Sequence, residues 1–271
     1  MRLSGSLVAA CALTAVVVVL FMLRLQRHGG GCYDDDVGAS GGGARVDSRK
    51  YRRINADAGP VLFVAVFSAK ENKLQRDTIR QTWMANLPAG TMVRFFIGSG
   101  QVTDEDLRAL RAESNKNKDI AFLPQVVESY TSLSDKLIET LKWIDDLYPD
   151  IEFVTKTDDD SFVRVDRILE ELRTLDYSDT KGLYWGYFDG RAPVQRHGKW
   201  EEHDWFLCDR YLPYALGGGY VISSTVVDFI VNNHHLLTKY KSEDVSMGVW
   251  TSSLNIVRQH DQRFDTEWKV G

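Results

Sequence analysis

The run Phe153-Val154-Thr155-Lys156-Thr157-Asp158-Asp159-Asp160 is an apolar, β-branched stretch that ends in three consecutive carboxylates. Adjacent like charges repel one another and resist desolvation, so acids held beside a buried strand call for a compensating cation, and a hard divalent metal is the obvious one. Side chains alternate along extended backbone, so Asp158 and Asp160 aim at one side and Asp159 at the other. The competing reading is a solvated acidic turn. Against it stand the apolar run on one flank and Ser161-Phe162-Val163 on the other, which draw the acids towards the body of the domain. An EF-hand loop starting at Asp158 would need Gly at its sixth position and Glu at its twelfth, where this chain has Val163 and Leu169. A phosphoaspartate enzyme would need an unbroken apolar strand, which Thr155, Lys156 and Thr157 interrupt. What remains is a strand-end D-x-D site for a metal bound to a diphosphate, with water and phosphate oxygens completing the shell.

On both sides of this run, strands alternate with helices. Val61 to Phe67 reads as a fully buried strand, Lys73 to Leu87 as a helix, Met92 to Ile97 as a strand, Asp104 to Glu113 as a helix and Ile120 to Val127 as a strand. The amphipathic stretch Leu133 to Tyr148 leads into the acidic strand, and a helix from Asp166 to Leu175 follows it. After Leu183-Tyr184-Trp185-Gly186-Tyr187 a polar, aromatic stretch runs irregularly from Asp189 to Asp209. Gly217-Gly218-Gly219-Tyr220-Val221-Ile222-Ser223 restores order before a helix from Ser224 to Leu237, the acidic turn Glu243-Asp244, a helix to about Leu254 and a last strand before His260. This alternation predicts an α/β domain with a mainly parallel mixed sheet, whose ligand crevice lies at the carboxyl ends of its strands, where the acidic triplet sits.

The 271 residues carry a net charge of −5 and 26% charged side chains, an ordinary globular composition with no basic excess to support nucleic-acid binding. Leu7 to Leu23 is uncharged, long enough for a thin bilayer, and followed by Arg24, Arg27 and His28 in place of a small-residue cleavage site. It is expected to be a retained anchor. Residues 24–58, with Gly29-Gly30-Gly31 and Gly41-Gly42-Gly43, bury too little to offset chain entropy and read as a flexible stem, so the folded domain is expected over 59–271. Of the cysteines, Cys11 lies in the apolar segment, Cys32 in the stem and Cys208 alone in the domain, so no disulfide can close there.

Five motifs occur together and in order: Arg76-Asp77-Thr78-Ile79-Arg80-Gln81-Thr82-Trp83, Phe95-Phe96-Ile97-Gly98, Lys156-Thr157-Asp158-Asp159-Asp160, Tyr211-Leu212-Pro213-Tyr214 with Gly217-Gly218-Gly219-Tyr220-Val221, and Glu243-Asp244-Val245-Ser246-Met247-Gly248. The chain from about Pro60 onward thereby resembles the β-1,3-galactosyltransferase family. With its tail His260-Asp261-Gln262-Arg263-Phe264-Asp265-Thr266-Glu267 and with Ser242-Glu243-Asp244-Val245-Ser246, it is most similar to the branch that builds the glycosaminoglycan linkage region. The resemblance implies a GT-A-type, Rossmann-like single domain behind its anchor and stem, and a Golgi type II membrane enzyme with residues 1–6 cytoplasmic and the catalytic domain lumenal. It also implies Mn²⁺ dependence, UDP-galactose as donor, a xylose-linked galactose on a proteoglycan core protein as acceptor, and association with other Golgi glycosyltransferases.

Inverting the anomeric carbon in one displacement requires one base for the acceptor hydroxyl, and the resemblance places it at Asp244 beside Glu243. A helix amino terminus there would keep the carboxylate ionised; the structural alternative is that Asp244 merely caps the helix. By the same resemblance Asp158, Asp160 and His260 are the metal ligands, and Ser68, Arg76, Arg80, Lys156, Asp158 and Asp159 serve the nucleotide. Arg76 and Arg80 share one helix face, which would otherwise be a solvated basic face. Trp185 and Trp205 are candidates for stacking on sugar, against packing under a loop. Gly218 and Gly219 would let backbone approach the donor, or else supply a turn.

Overall fold

The computed structural model describes residues 61–174 and 182–265; the expected anchor and stem lie outside them. Among the described residues no helix is long and apolar enough to cross a membrane. In chain order the elements are β1 (Leu62–Phe67), α1 (Lys73–Gln81), β2 (Thr91–Gly98), α2 (Asp104–Asn117), β3 (Ile120–Leu123), α3 (Leu133–Leu147), β4 (Phe153–Asp158), α4 (Val165–Thr174), β5 (Leu183–Asp189), β6 (Tyr214–Ser223), α5 (Ser224–Asn233), α6 (Glu243–Thr251) and β7 (Val257–His260).

The seven strands form one sheet in the order β3-β2-β1-β4-β6-β5-β7. Strands β1 to β4 run parallel; β6 enters antiparallel to both β4 and β5, and β7 is parallel to β5. The sheet is therefore mixed and mostly parallel, as the alternation predicted. Strand β1 is buried along its whole length, because helices cover both faces and leave no solvated side for polar residues. Phe63, Ala65 and Phe67 join a core with Leu137, Leu141 and Ile144 of α3, while Leu62, Val64 and Val66 join a second core with Ile79 of α1 and Ile168 and Leu172 of α4.

Several boundaries move. Helix α1 stops at Gln81, where Thr78 and Thr82 hydroxyls bond back to the carbonyls of Leu74 and Thr78 and the next residues form turns. Helix α2 runs past Glu113 until Lys118 adopts φ 59°, its N–H closing on Ser114. Strand β3 ends at Leu123, since Pro124 follows and the Val126 N–H turns back to Leu123. The glycine run makes no turn: Gly217, Gly218 and Gly219 lie inside β6, with Gly219 paired to Thr157. That pairing sets the glycines directly beside the acidic end of β4.

Candidate active site

The centre of the site is an ammonium group. Lys156, two residues before Asp158 and so on the same face of β4, is 3% exposed. Its Nζ donates to Asp158 Oδ1 at 2.8 Å and to the Gly217 carbonyl at 2.6 Å, and lies 2.7 Å from Glu243 Oε1, off-line for a hydrogen bond. Burial alone would drive the proton off, but the charges of Asp158 and Glu243 outweigh it and hold the lysine pKa above its usual value. One buried cation thus ties the end of β4, the glycine segment of β6 and the first turn of α6.

Ser242 precedes α6 in extended backbone, so Glu243 and Asp244 form the first turn. Glu243 points inward and is buried, whereas Asp244 keeps part of its surface open. Asp244 Oδ2 accepts the Gly217 N–H at 3.0 Å and Oδ1 accepts the Val245 N–H at 2.8 Å. Its pKa is nevertheless raised from 3.8 to about 7, first by burial and then by the Glu243 charge, with Lys156 and the two N–H groups pulling the other way. The expectation that the helix terminus keeps this carboxyl fully ionised is corrected: desolvation beside a second acid wins over a half-charge dipole. A carboxyl with its pKa near neutrality that stays partly exposed is suited to take a proton from a hydroxyl.

Asp158 uses Oδ1 on Lys156 and leaves Oδ2 without a partner among the described residues. Asp159 accepts from Asn72 Nδ2 at 2.9 Å, and Asp160 is exposed with no hydrogen-bond or ion-pair partner among the described residues. Strand β4 ends at Asp158 and the chain turns at Asp159 and Asp160, so the alternation expected through Asp160 is not kept; Asp158 and Asp160 each keep free carboxylate oxygens, hard-oxygen donors of the kind a divalent cation takes. His260 is not drawn into that set. It is exposed at the end of β7, its Nδ1 accepting the Phe188 N–H at 3.1 Å and its ring lying 5.0 Å from that of Tyr187. Among the described residues no group of three or more His, Cys, Asp and Glu side chains is gathered for a metal.

Arg76 and Arg80 do not present free cations to a nucleotide. Arg76 is 0% exposed; Nε and one terminal nitrogen grip both oxygens of Glu113 at 2.8 Å, and the other donates to Ser68 Oγ at 2.9 Å. Arg80 holds both oxygens of Asp119 at 2.7 and 2.9 Å and pairs with Glu113 and Asp77. The shared helix face is real, but Glu113 of α2, Asp119 just before β3 and Asp77 of α1 itself supply the matching acids. Ser68 is consequently fixed at the end of β1 by Arg76.

The two tryptophans proposed for sugar stacking are packed. Trp185 is 1% exposed, donates to Asp261 at 3.0 Å and meets Phe264 edge-on. Trp205 is buried, donates to the Cys208 carbonyl and packs between Tyr211 and Tyr240. Neither offers a ring face to a ligand: Trp185 of β5 is part of the second core, and Trp205 is the centre of a small aromatic cluster that anchors otherwise irregular chain. Gly218 gives its carbonyl to Thr157 and Ser161, and Gly219 has room for a methyl group. The glycine the site requires is Gly217, where a Cβ would lie 3.1 Å from Glu243 Oε1 and 3.2 Å from Asp244 Oδ2.

A galactosyltransferase family model matches residues 74–262, which includes every charged group of this site. The chain belongs to the galactosyltransferase family. It is 42% identical over 212 residues to mouse beta-1,3-galactosyltransferase 6, covering 77% of this chain and 65% of that protein. A UDP-GalNAc:beta-1,3-N-acetylgalactosaminyltransferase 2 of Xenopus tropicalis is 36% identical over 59% of this chain and 32% of its own length. The chain thus spans between about a third and two-thirds of the curated relatives it matches. A solved mannosyltransferase from Pyrobaculum calidifontis, in complex with GDP-Man and Mn²⁺, aligns at TM-score 0.44 and 9% identity over 76% of this chain and 56% of that one, too remote to carry an argument.

In this galactosyltransferase-family site, sequence reasoning passed over two residues. Lys136 of α3, 2% exposed, donates to the Ser68 carbonyl at 2.7 Å and to Glu128 Oε1 at 2.5 Å, and Glu128 also accepts the Gly98 N–H at 2.6 Å. A lysine at an apolar position of an amphipathic helix is the only signal that could have found it.

Proposed function

We propose that the chain is an inverting, metal-dependent β-1,3-galactosyltransferase that moves galactose from UDP-galactose to the 3-hydroxyl of a galactose acceptor, the Gal-Xyl unit of the proteoglycan linkage region. The observation that carries this reading is Asp244: a carboxyl with its pKa raised to about 7, fixed by the Gly217 N–H and joined through Lys156 to the diphosphate end of β4. When bound, Mn²⁺ supplies Lewis-acid stabilisation of the departing diphosphate, and Asp158 and Asp160 are the residues that would hold it.

The rest belongs to the chain. Asp244 takes the acceptor hydroxyl proton as that oxygen bonds to the anomeric carbon from the face opposite the diphosphate. The bond from that carbon to the diphosphate oxygen breaks with its electron pair on UDP, and the proton on Asp244 returns to solvent. Glu243 raises the basicity of Asp244 by its charge and does not meet the substrate, being buried against Lys156. Gly217 keeps the base in place and leaves space for it. The family supports a GT-A-type domain, a Golgi type II setting with the anchor at Leu7 to Leu23, and a proteoglycan core protein as acceptor carrier.

Relatives named for both galactosyl and N-acetylgalactosaminyl transfer favour a second donor reading in which the same base acts on another UDP-hexose. Purified full-length protein is incubated with Mn²⁺, galactose-terminated and N-acetylglucosamine-terminated acceptors, and UDP-galactose, UDP-N-acetylgalactosamine or UDP-N-acetylglucosamine. Selective galactose transfer to the galactose-terminated acceptor is expected. Transfer only from another donor refutes the donor assignment, and binding of UDP without any transfer refutes the enzymatic reading.

A further inference from the structure

The acidic end of β4 was expected to need a metal for charge compensation, yet two of the cations beside it belong to the chain. Lys136 and Lys156 come from different elements and set their ammonium groups 5.2 and 5.0 Å from the ring centroid of Phe67, the last residue of β1. Lys156 is spent on Asp158, Glu243 and the Gly217 carbonyl. Lys136 is different. Its two acceptors are Ser68 and Glu128, and it touches none of the acids of the triplet; burial lowers its pKa, while the ion pair with Glu128 and, more weakly, the charges of Asp159 and Asp158 favour the ammonium form. It lies at the junction of the carboxyl ends of β1 and β2, where Ser68 and the Gly98 N–H fix its surroundings, and this is the edge at which a mostly parallel sheet receives its ligand. Burial matters here, since a charge removed from water acts over several ångströms with little screening.

We infer that Lys136 is an electrostatic positioning residue for the nucleoside diphosphate: an ammonium group, ion-paired to Glu128 at the carboxyl ends of β1 and β2, that attracts the anionic half of the donor and opposes binding of a bare divalent cation. Glu128 sets how much of that charge is felt, because its carboxylate faces the same ammonium at 2.5 Å. The consequence is that Lys136 strengthens UDP binding to the metal-free protein and weakens binding of free Mn²⁺. This inference rests on the transferase reading only in taking the ligand to be UDP-linked.

The test uses the full-length chain in detergent and isothermal titration with UDP in excess chelator, then with MnCl₂ alone. Lys136→Met keeps the stem and removes the charge; at least a fivefold weaker UDP dissociation constant without metal is expected, together with unchanged or tighter Mn²⁺ binding. Glu128→Gln keeps an acceptor for the Gly98 N–H and for Lys136 while removing the opposing charge, so UDP is expected to tighten and Mn²⁺ to weaken. A merely structural role cannot reverse the sign between the two ligands, and Glu128→Gln alone suffices if Lys136→Met fails to fold. UDP affinity in chelator unchanged within twofold in the folded variants, or both ligands weakened together, overturns the inference. Wild-type protein that binds no UDP, with or without Mn²⁺, refutes the transferase reading as well, whereas wild-type binding that both variants retain refutes only the role of Lys136.

Discussion

Replacing Asp244 by Asn tests the chemistry and the electrostatics of the site at once. The raised carboxyl holds a proton in the folded protein that the unfolded chain releases, so between pH 4 and pH 7 stability falls as pH rises through that window. A displacement from 3.8 to about 7 has an upper bound of roughly 4 kcal/mol at ~1.4 kcal/mol per pH unit; partial exposure of the carboxyl reduces this to about 1–2 kcal/mol. Asn has no proton to release and no charge to bury, so this pH dependence should vanish in Asp244→Asn. The amide can still accept one of the two N–H groups of Gly217 and Val245, and losing the other costs about 1 kcal/mol at every pH, which cancels in a comparison across pH. The assay is thermal unfolding by circular dichroism at pH 5 and pH 8 in chelator. The drop in Tm between the two should be smaller in the variant by ~2–8 °C for a domain of this size. In parallel, galactose transfer at pH 7 should fall roughly 10²-fold or more. Equal pH dependence in the two proteins refutes the electrostatic account, and near-normal transfer by folded Asp244→Asn removes it from the role of base.

Other perturbations have distinct signatures. Lys156→Met leaves Glu243 buried beside Asp244 with its cation gone, so a loss of stability of about 3–5 kcal/mol is expected, checked by denaturant melts. Gly217→Ala presses a methyl group against both acids and should lower kcat with a small change in Tm, read by steady-state kinetics beside a melt. Arg76→Lys cannot reproduce the two-pronged grip on Glu113 and should cost about 2–3 kcal/mol of stability, with donor KM rising through Ser68, checked by urea unfolding and kinetics. Exhaustive chelation of the wild-type chain should abolish transfer, and restoration by Mn²⁺ and not by Ca²⁺ is the expected rescue, read by radiolabelled transfer.

The order of strands and helices could be read from the chain, because buried parallel strands show as apolar runs and the covering helices as 3.6-residue periods, both local signals. That β4 ends in its acids was equally legible, since the apolar run from Phe153 gives way directly to Asp158, Asp159 and Asp160. The partners of charges were not legible. That Arg76 and Arg80 spend themselves on Glu113 and Asp119, that Lys136 reaches Ser68 at the end of β1, and that Trp185 and Trp205 are packed depend on residues 37 to 76 positions away or on how irregular chain folds over itself. The same distinction applies to Asp244. Sequence places it at a helix start, which by itself favours ionisation, while its raised pKa comes from burial against Glu243 and the neighbouring β6 strand, and desolvation is a property of the assembled fold and not of any local stretch.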